Sequence, residues 1–293
     1  MNTVLNKLVV SASFALSLGL MSCQENSLVT PDKPATTPSE SVNDIISPNR
    51  PKVYKLTKYG NANLTYDGDG RLTRVMLGAD VRGNKNVHTE YTYSAGSIHA
   101  ISYVGTSLFY DQTFLLNANG RCYEYKELRY LYSNSSQTEK KEVVYTYNAK
   151  GQLQKAADKS NAAVRTEYTY NADGDLNRAI QYGLDYTHST IKVQSDYTFS
   201  YDQPTGDPIL TDRYVINSEL AGFPDLFLNI FGTPSKHLVK LITEKSSLGG
   251  QYYTYTLNAD GYATKRDEYS LSSGALVESR SYNYLVTNMT VQL

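Results

Sequence analysis

One phrase recurs along this chain and limits what it can fold into. Tyr168-Thr169-Tyr170-Asn171-Ala172-Asp173-Gly174 is one copy. Others stand at Tyr66-Asp67-Gly68-Asp69-Gly70, Phe114-Leu115-Leu116-Asn117-Ala118-Asn119-Gly120, Tyr145-Thr146-Tyr147-Asn148-Ala149-Lys150-Gly151 and Tyr255-Thr256-Leu257-Asn258-Ala259-Asp260-Gly261. Looser copies sit at Tyr91-Thr92-Tyr93-Ser94-Ala95-Gly96 and Tyr197-Thr198-Phe199-Ser200-Tyr201-Asp202. An internal repeat outranks other sequence signals, because every copy must fold the same way. Each copy reads as a strand running into a tight turn. The Asx side chain caps the turn, and Gly supplies the positive φ and a G1 bulge.

The flanks agree with that reading. Val164, Thr166, Tyr168 and Tyr170 alternate with Arg165, Glu167 and Thr169, the period of a half-buried strand. Tyr-x-Tyr pairs recur at 91/93, 123/125, 130/132, 145/147, 168/170, 253/255 and 282/284, and period 2 places both rings of a pair on one face. The turn glycines are Gly70, Gly96, Gly120, Gly151, Gly174, Gly206 and Gly261. Most gaps between them hold two strands and a polar return loop, such as Ser133-Asn134-Ser135-Ser136 or Ser272-Ser273-Gly274. The expected fold is all-β: an antiparallel up-and-down meander of roughly 14–18 strands. An open sheet that wide curls, so a barrel-like sheet with its Tyr/Val/Leu face inward is expected.

The longest gap, between Gly206 and Gly261, carries the single helix signal. Pro224 suits a first helical position, Gly232 a C′ position and Pro234 a stop. Leu226, Phe227, Ile230 and Phe231 fall on one helical face, with Phe223 just ahead. A short helix is therefore expected as a plug or cap. The alternative is that the same cluster (Phe223, Leu226, Phe227, Ile230 and Phe231) forms a mobile lid or a partner-docking knob over a cavity.

The N-terminus is an export signal. Lys7 precedes an apolar run from Leu8 to Leu20, too short to span a bilayer as a helix. The run ends in Leu20-Met21-Ser22-Cys23, which resembles the lipobox of bacterial lipoproteins. That resemblance implies a signal peptide over residues 1–22 and acylation of Cys23 with enough chains for stable anchoring. Gln24, in place of the Asp that retains such proteins at the inner membrane, points to the outer membrane, on its periplasmic or cell-surface face. Residues 23–51 form a Pro/Ser/Thr tether holding Pro31, Pro34, Pro38, Pro48 and Pro51, and no Tyr. Its reach is about 30 Å. All 27 tyrosines follow, so residues 52–293 form a single repeat-built domain.

The hairpins carry two resemblances. Tyr66-Asp67-Gly68-Asp69-Gly70-Arg71-Leu72-Thr73 is similar to the YD repeat of Rhs-type proteins, although this chain is too short for their shells. The lipobox, the tether, the Tyr-x-Tyr-Asn-x-x-Gly hairpins and the stretch from Phe223-Pro224-Asp225-Leu226 to Gly232-Thr233-Pro234-Ser235-Lys236 resemble a family of Bacteroidota lipoproteins of unknown function. That resemblance implies a porin-like fold and no particular activity.

Little in the sequence points to chemistry. Removing residues 1–22 leaves 27 Lys and Arg against 29 Asp and Glu, a net charge of −2 without the basic face that nucleic acid requires. His88, His99, His188 and His237 are scattered without metal-ligand spacing. Asn171, Asp173, Asp175 and Asn177 alternate as oxygen donors, as do Asp67 and Asp69, but turn chemistry explains both sets. With Cys23 acylated, Cys122 is left alone and reads as a small buried hydrophobe. Tyr-rich faces stack on sugars as well as on one another, and there is no Trp. The expectation is a non-enzymatic envelope lipoprotein with neither cofactor nor metal, acting as a binding or structural module. The alternative is a glycan- or peptide-binding surface lipoprotein of a nutrient-uptake system. Envelope proteins or glycans are the partners considered.

Overall fold

The computed structural model describes residues 21–22, 52–78, 86–130, 138–185, 187, 189–204, 206–210, 214–215, 225–245 and 249–288. Sixteen antiparallel strands form a closed barrel. The first four are β1 (Lys52–Tyr59), β2 (Ala62–Tyr66), β3 (Leu72–Leu77) and β4 (Val87–Ser94). Next come β5 (Ser97–Val104), β6 (Ser107–Leu116), β7 (Cys122–Tyr130) and β8 (Thr138–Tyr147). The third group is β9 (Leu153–Asp158), β10 (Arg165–Tyr170), β11 (Leu176–Asp185) and β12 (Thr190–Ser200). Finally β13 (Leu241–Glu244), β14 (Gly249–Leu257), β15 (Ala263–Ser270) and β16 (Leu276–Asn288) complete the wall. Each strand pairs with its neighbour in sequence, and β16 closes onto β1. The repeat turns gather at one end, the turn end, and the return loops at the other, the loop end.

The five close copies of the repeat fold alike. In each, the Asx N–H donates to the carbonyl four residues on, and the Gly N–H donates back to the Asx carbonyl. Asn258 Oδ1 accepts the N–H groups of Asp260 and Tyr262, and Asn117 and Asn148 make the same pair of bonds. Gly174 (φ 95°) and Gly261 (φ 87°) take the left-handed backbone that the turn requires.

Each copy also bulges at a fixed place, three residues past the glycine. Thr73, Tyr123, Gln154, Asn177 and Thr264 are each skipped in the pairing register. The bulge resets the alternation, so the second and fifth residues after the glycine both face inward. Leu72 and Val75 do so, as do Cys122 and Tyr125, and Leu176 and Ala179. It also separates one Tyr-x-Tyr pair. Tyr125 is fully buried, while Tyr123, the bulged residue, is 43% exposed, contrary to the simple period-2 expectation.

Beside the bulge, the carbonyl two residues after the glycine accepts a tyrosine hydroxyl from the next hairpin. Tyr93 bonds Leu72, Tyr147 bonds Cys122, Tyr170 bonds Leu153, Tyr201 bonds Leu176 and Tyr284 bonds Ala263, at 2.5 to 2.9 Å. A bulge interrupts the ladder, and a buried carbonyl without a donor is costly. The repeated tyrosine supplies that donor and fills the core with its ring. The buried apolar residues of the wall, together with those of residues 226–239, form one hydrophobic cluster.

The outward face carries many charged pairs, with apolar residues such as Ile101, Ile180, Val193 and Leu285 set among them. Arg74 opposes Glu90 across β3 and β4. Arg165 and Glu167 pair along β10, Lys265 and Asp267 along β15, and Arg178 grips Asp196 with two bonds between β11 and β12.

Candidate functional site

Residues 225–240 leave the wall and run inside the turn end as a strap. The expected helix is absent: no helix occurs among the described residues, and 225–231 form a bent, non-helical segment. Phe223 and Pro224 lie outside the described residues. The reason is visible in the burial. Leu226, Phe227, Leu228, Ile230 and Phe231 are all buried. A short helix would present only one face to the core, whereas six of the seven residues from 225 to 231 are buried and Asn229 alone among them is exposed. The N–H groups of Phe227, Leu228 and Ile230 find the Asp225 carboxylate and the Leu228 carbonyl within the strap, and the Ile230 carbonyl accepts from Cys122 of the wall. Phe231 meets Phe114 and Tyr145 edge-on, at ring distances of 6.1 and 5.2 Å.

The strap passes beneath successive hairpins and bonds to each. Asp225 takes the Tyr91 hydroxyl of β4 at 2.6 Å, while its other oxygen caps the N–H groups of Phe227 and Leu228. Burial pushes this carboxyl up to about 7, against the pull of the Tyr91 and Leu228 bonds. The Cys122 N–H donates to the Ile230 carbonyl. Thr233 N–H donates to the Gly151 carbonyl, next to a bridge between Gly232 and Gln152. A side chain at Gly232 would lie 2.5 Å from the Gly151 oxygen, so the strap and the turn touch backbone to backbone.

The hairpin that turns at Gly174 holds the strap most firmly. Asp175, almost fully buried, accepts the N–H groups of Lys236 and His237 on one oxygen. His237 Nδ1 lies 2.7 Å from the other oxygen. Ser235 Oγ accepts the Leu176 N–H, and Tyr201 spans Ser235 and the Leu176 carbonyl. Lys240 N–H then donates to Ser200, and the chain enters β13.

The candidates read from the sequence therefore separate. Asp175, read as a turn oxygen beside Asn171, Asp173 and Asn177, instead anchors the strap with His237. Asn171 Oδ1 caps the Asp175 N–H, and Asp67 is spent on its own turn and on Arg71. Cys122 is buried, and burial pushes its thiol up to about 12. His88 and His99 sit on the outer wall against Glu90 and Asp111; His188 lies outside the described residues. Among the described residues no group of three His, Cys, Asp or Glu side chains is arranged to hold a metal. Spacing alone could not reveal the Asp175–His237 pair, since its members lie 62 positions apart. One signal was available: four of the five turns carry Arg, Gln or Tyr where this one carries Asp.

The loop end is built differently. Glu139 and Lys141 share the inward alternation of Val143 and Tyr145 yet are exposed, so the lumen opens to water there. Below them Gln112 donates to the Tyr125 hydroxyl, which bonds Glu127.

This architecture, a closed antiparallel up-and-down barrel, matches solved porin-like proteins. One from Bacteroides vulgatus superposes with a TM-score of 0.52 at 15% identity, covering 78% of this chain and 98% of that one. Another, from Bacteroides uniformis, gives 0.49 at 17% identity, covering 83% and 94%. The fold is thus porin-like. No protein-family model matches the chain, and no curated protein matches it.

Proposed function

We propose that this chain is a non-enzymatic envelope lipoprotein, held at the outer membrane by acylated Cys23, whose barrel stands in water as a binding or structural module. The observation that carries the reading is the outer wall. A lipid-facing barrel needs an apolar band, and each Arg or Lys at the bilayer midplane costs about 2–4 kcal/mol. Here Arg165–Glu167, Arg178–Asp196 and Lys265–Asp267 ion pairs occupy that wall. The strap, which fills the turn end with apolar side chains, also argues against a through-channel. A porin-like shape would then be held at the membrane by lipid and tether instead of by spanning it. The tether and domain boundaries, 23–51 and 52–293, follow from the same reading.

Lipid attachment is tested with an alkyne-palmitate analogue. Wild-type protein should be labelled and membrane-bound, and Cys23→Ser should lose both properties. Unchanged labelling of the variant would rule out the anchor.

A glycan- or peptide-binding role in nutrient uptake is the second reading. It is favoured by the solvent-exposed loop end, where Glu139 and Lys141 face the lumen above Gln112 and Glu127. A glycan and envelope-protein pull-down with residues 52–293 tests it. Capture that survives loss of these lumenal side chains would place the ligand elsewhere.

A further inference from the structure

The strap's first anchor is unusual in what surrounds it. Asp225 is buried and held only by neutral donors: the Tyr91 hydroxyl and two strap N–H groups. The titratable groups facing it are Tyr91 and Tyr93 of β4, with Tyr66 of β2 behind them. Arg71 lies over the far side of the Tyr93 ring, 5.3 Å from its centre. Among the described residues, no cation is bonded to the carboxylate. A buried charge without a counter-ion is costly, and the protein avoids that cost by keeping the group protonated or by exposing it. The contrast is the Asp175 anchor, whose carboxylate meets an imidazole as well as two N–H groups.

We infer that Asp225 makes the seal proton-sensitive: protonated, it seats the 225–231 end of the strap under Tyr91, and ionised, it favours lifting that end into water. The inference rests on the strap's geometry and holds whether or not Cys23 carries lipid. The sign follows from linkage. Seating raises the carboxyl from 3.8 to about 7, so the seated state binds more protons than the lifted one. The stabilisation is complete below 3.8, is lost as pH rises toward 7, and is flat above that. The opening equilibrium should therefore rise roughly 30-fold between about pH 5.5 and pH 8.5.

Hydrogen exchange of the full chain measures this directly. The rate for segment 225–231 is divided, at each pH, by the same rate in Asp225→Asn, which cancels the chemistry of exchange. That ratio should climb roughly 30-fold across the range, while segment 263–270 stays level. Tyr91→Phe removes a bond that favours the ionised form, so it should move the rise to higher pH. It also serves as the deciding variant if Asp225→Asn does not fold. A ratio flat with pH, a parallel rise in 263–270, or an unmoved transition in Tyr91→Phe would overturn the inference.

Discussion

At the turn end, Phe114, Cys122 and Tyr125 are closed to solvent beneath the strap, whereas at the loop end of the same sheet Glu139 and Lys141 face the lumen and lie in water. One set of strands builds both ends. What differs is the strap and the tyrosine stitching, and both are confined to the turn end. Apolar burial drives the first, and satisfaction of bulged carbonyls drives the second. The far end has neither and is free to be polar. The difference teaches that the repeats alone make a wall, and that one inserted segment converts the wall into a cup.

The sharpest way to break this contrast is to empty the strap. Phe231→Ala removes a ring buried between Phe114 and Tyr145 and should cost about 3–5 kcal/mol in chemical denaturation. Leu276→Ala, exposed on β16 toward the loop end, should stay within about 0.5 kcal/mol. Similar losses at both sites would mean that the strap is not what holds the sealed end.

Two glycines give the next largest contrast. At Gly232 a Cβ would meet backbone at 2.5 Å and the Tyr147 ring at 2.9 Å, with φ at 93°. Gly232→Ala should therefore cost about 3 kcal/mol, combining clash and strain. At Gly261 nothing lies within reach of a Cβ, so Gly261→Ala should show only the left-handed strain, about 1 kcal/mol. Equal melting shifts would deny the backbone contact between strap and turn.

Tyr170→Phe sharpens the second ingredient. Losing one hydroxyl leaves the Leu153 carbonyl without its tyrosine donor and should cost about 1–2 kcal/mol. The smallest effect belongs to the outer wall. A double-mutant cycle on Arg165 and Glu167, both partly solvated, should return about 0.2–1 kcal/mol.

The wall was largely legible in the sequence. Asx-x-x-Gly is a local instruction, so its turns, its positive-φ glycines and the strand count could be read without tertiary information. The bulge after each turn was only half legible. The glycine announced it, but the resetting of alternation at Tyr123 depends on register with β6. The strap was misread for a physical reason. Pro224, Gly232 and the spacing of Leu226, Phe227, Ile230 and Phe231 fit a helix, and helical periodicity presumes one face in water. Burial of six of the seven residues from 225 to 231 removes that premise, and Asp225 and Cys122 supply bonds a helix would have made. Asp175 and His237 could not be paired at all, because only the closed barrel brings the Gly174 hairpin to the strap.

The central claim is a barrel whose outer wall faces water, and the most direct test is the behaviour of residues 52–293 without detergent. Purified from a soluble fraction and run in plain buffer, the domain should be folded, monodisperse and absent from the detergent phase in a Triton X-114 partition. A domain that aggregates in buffer and folds only when micelles or vesicles are added would contradict the claim and make the wall a membrane-spanning surface.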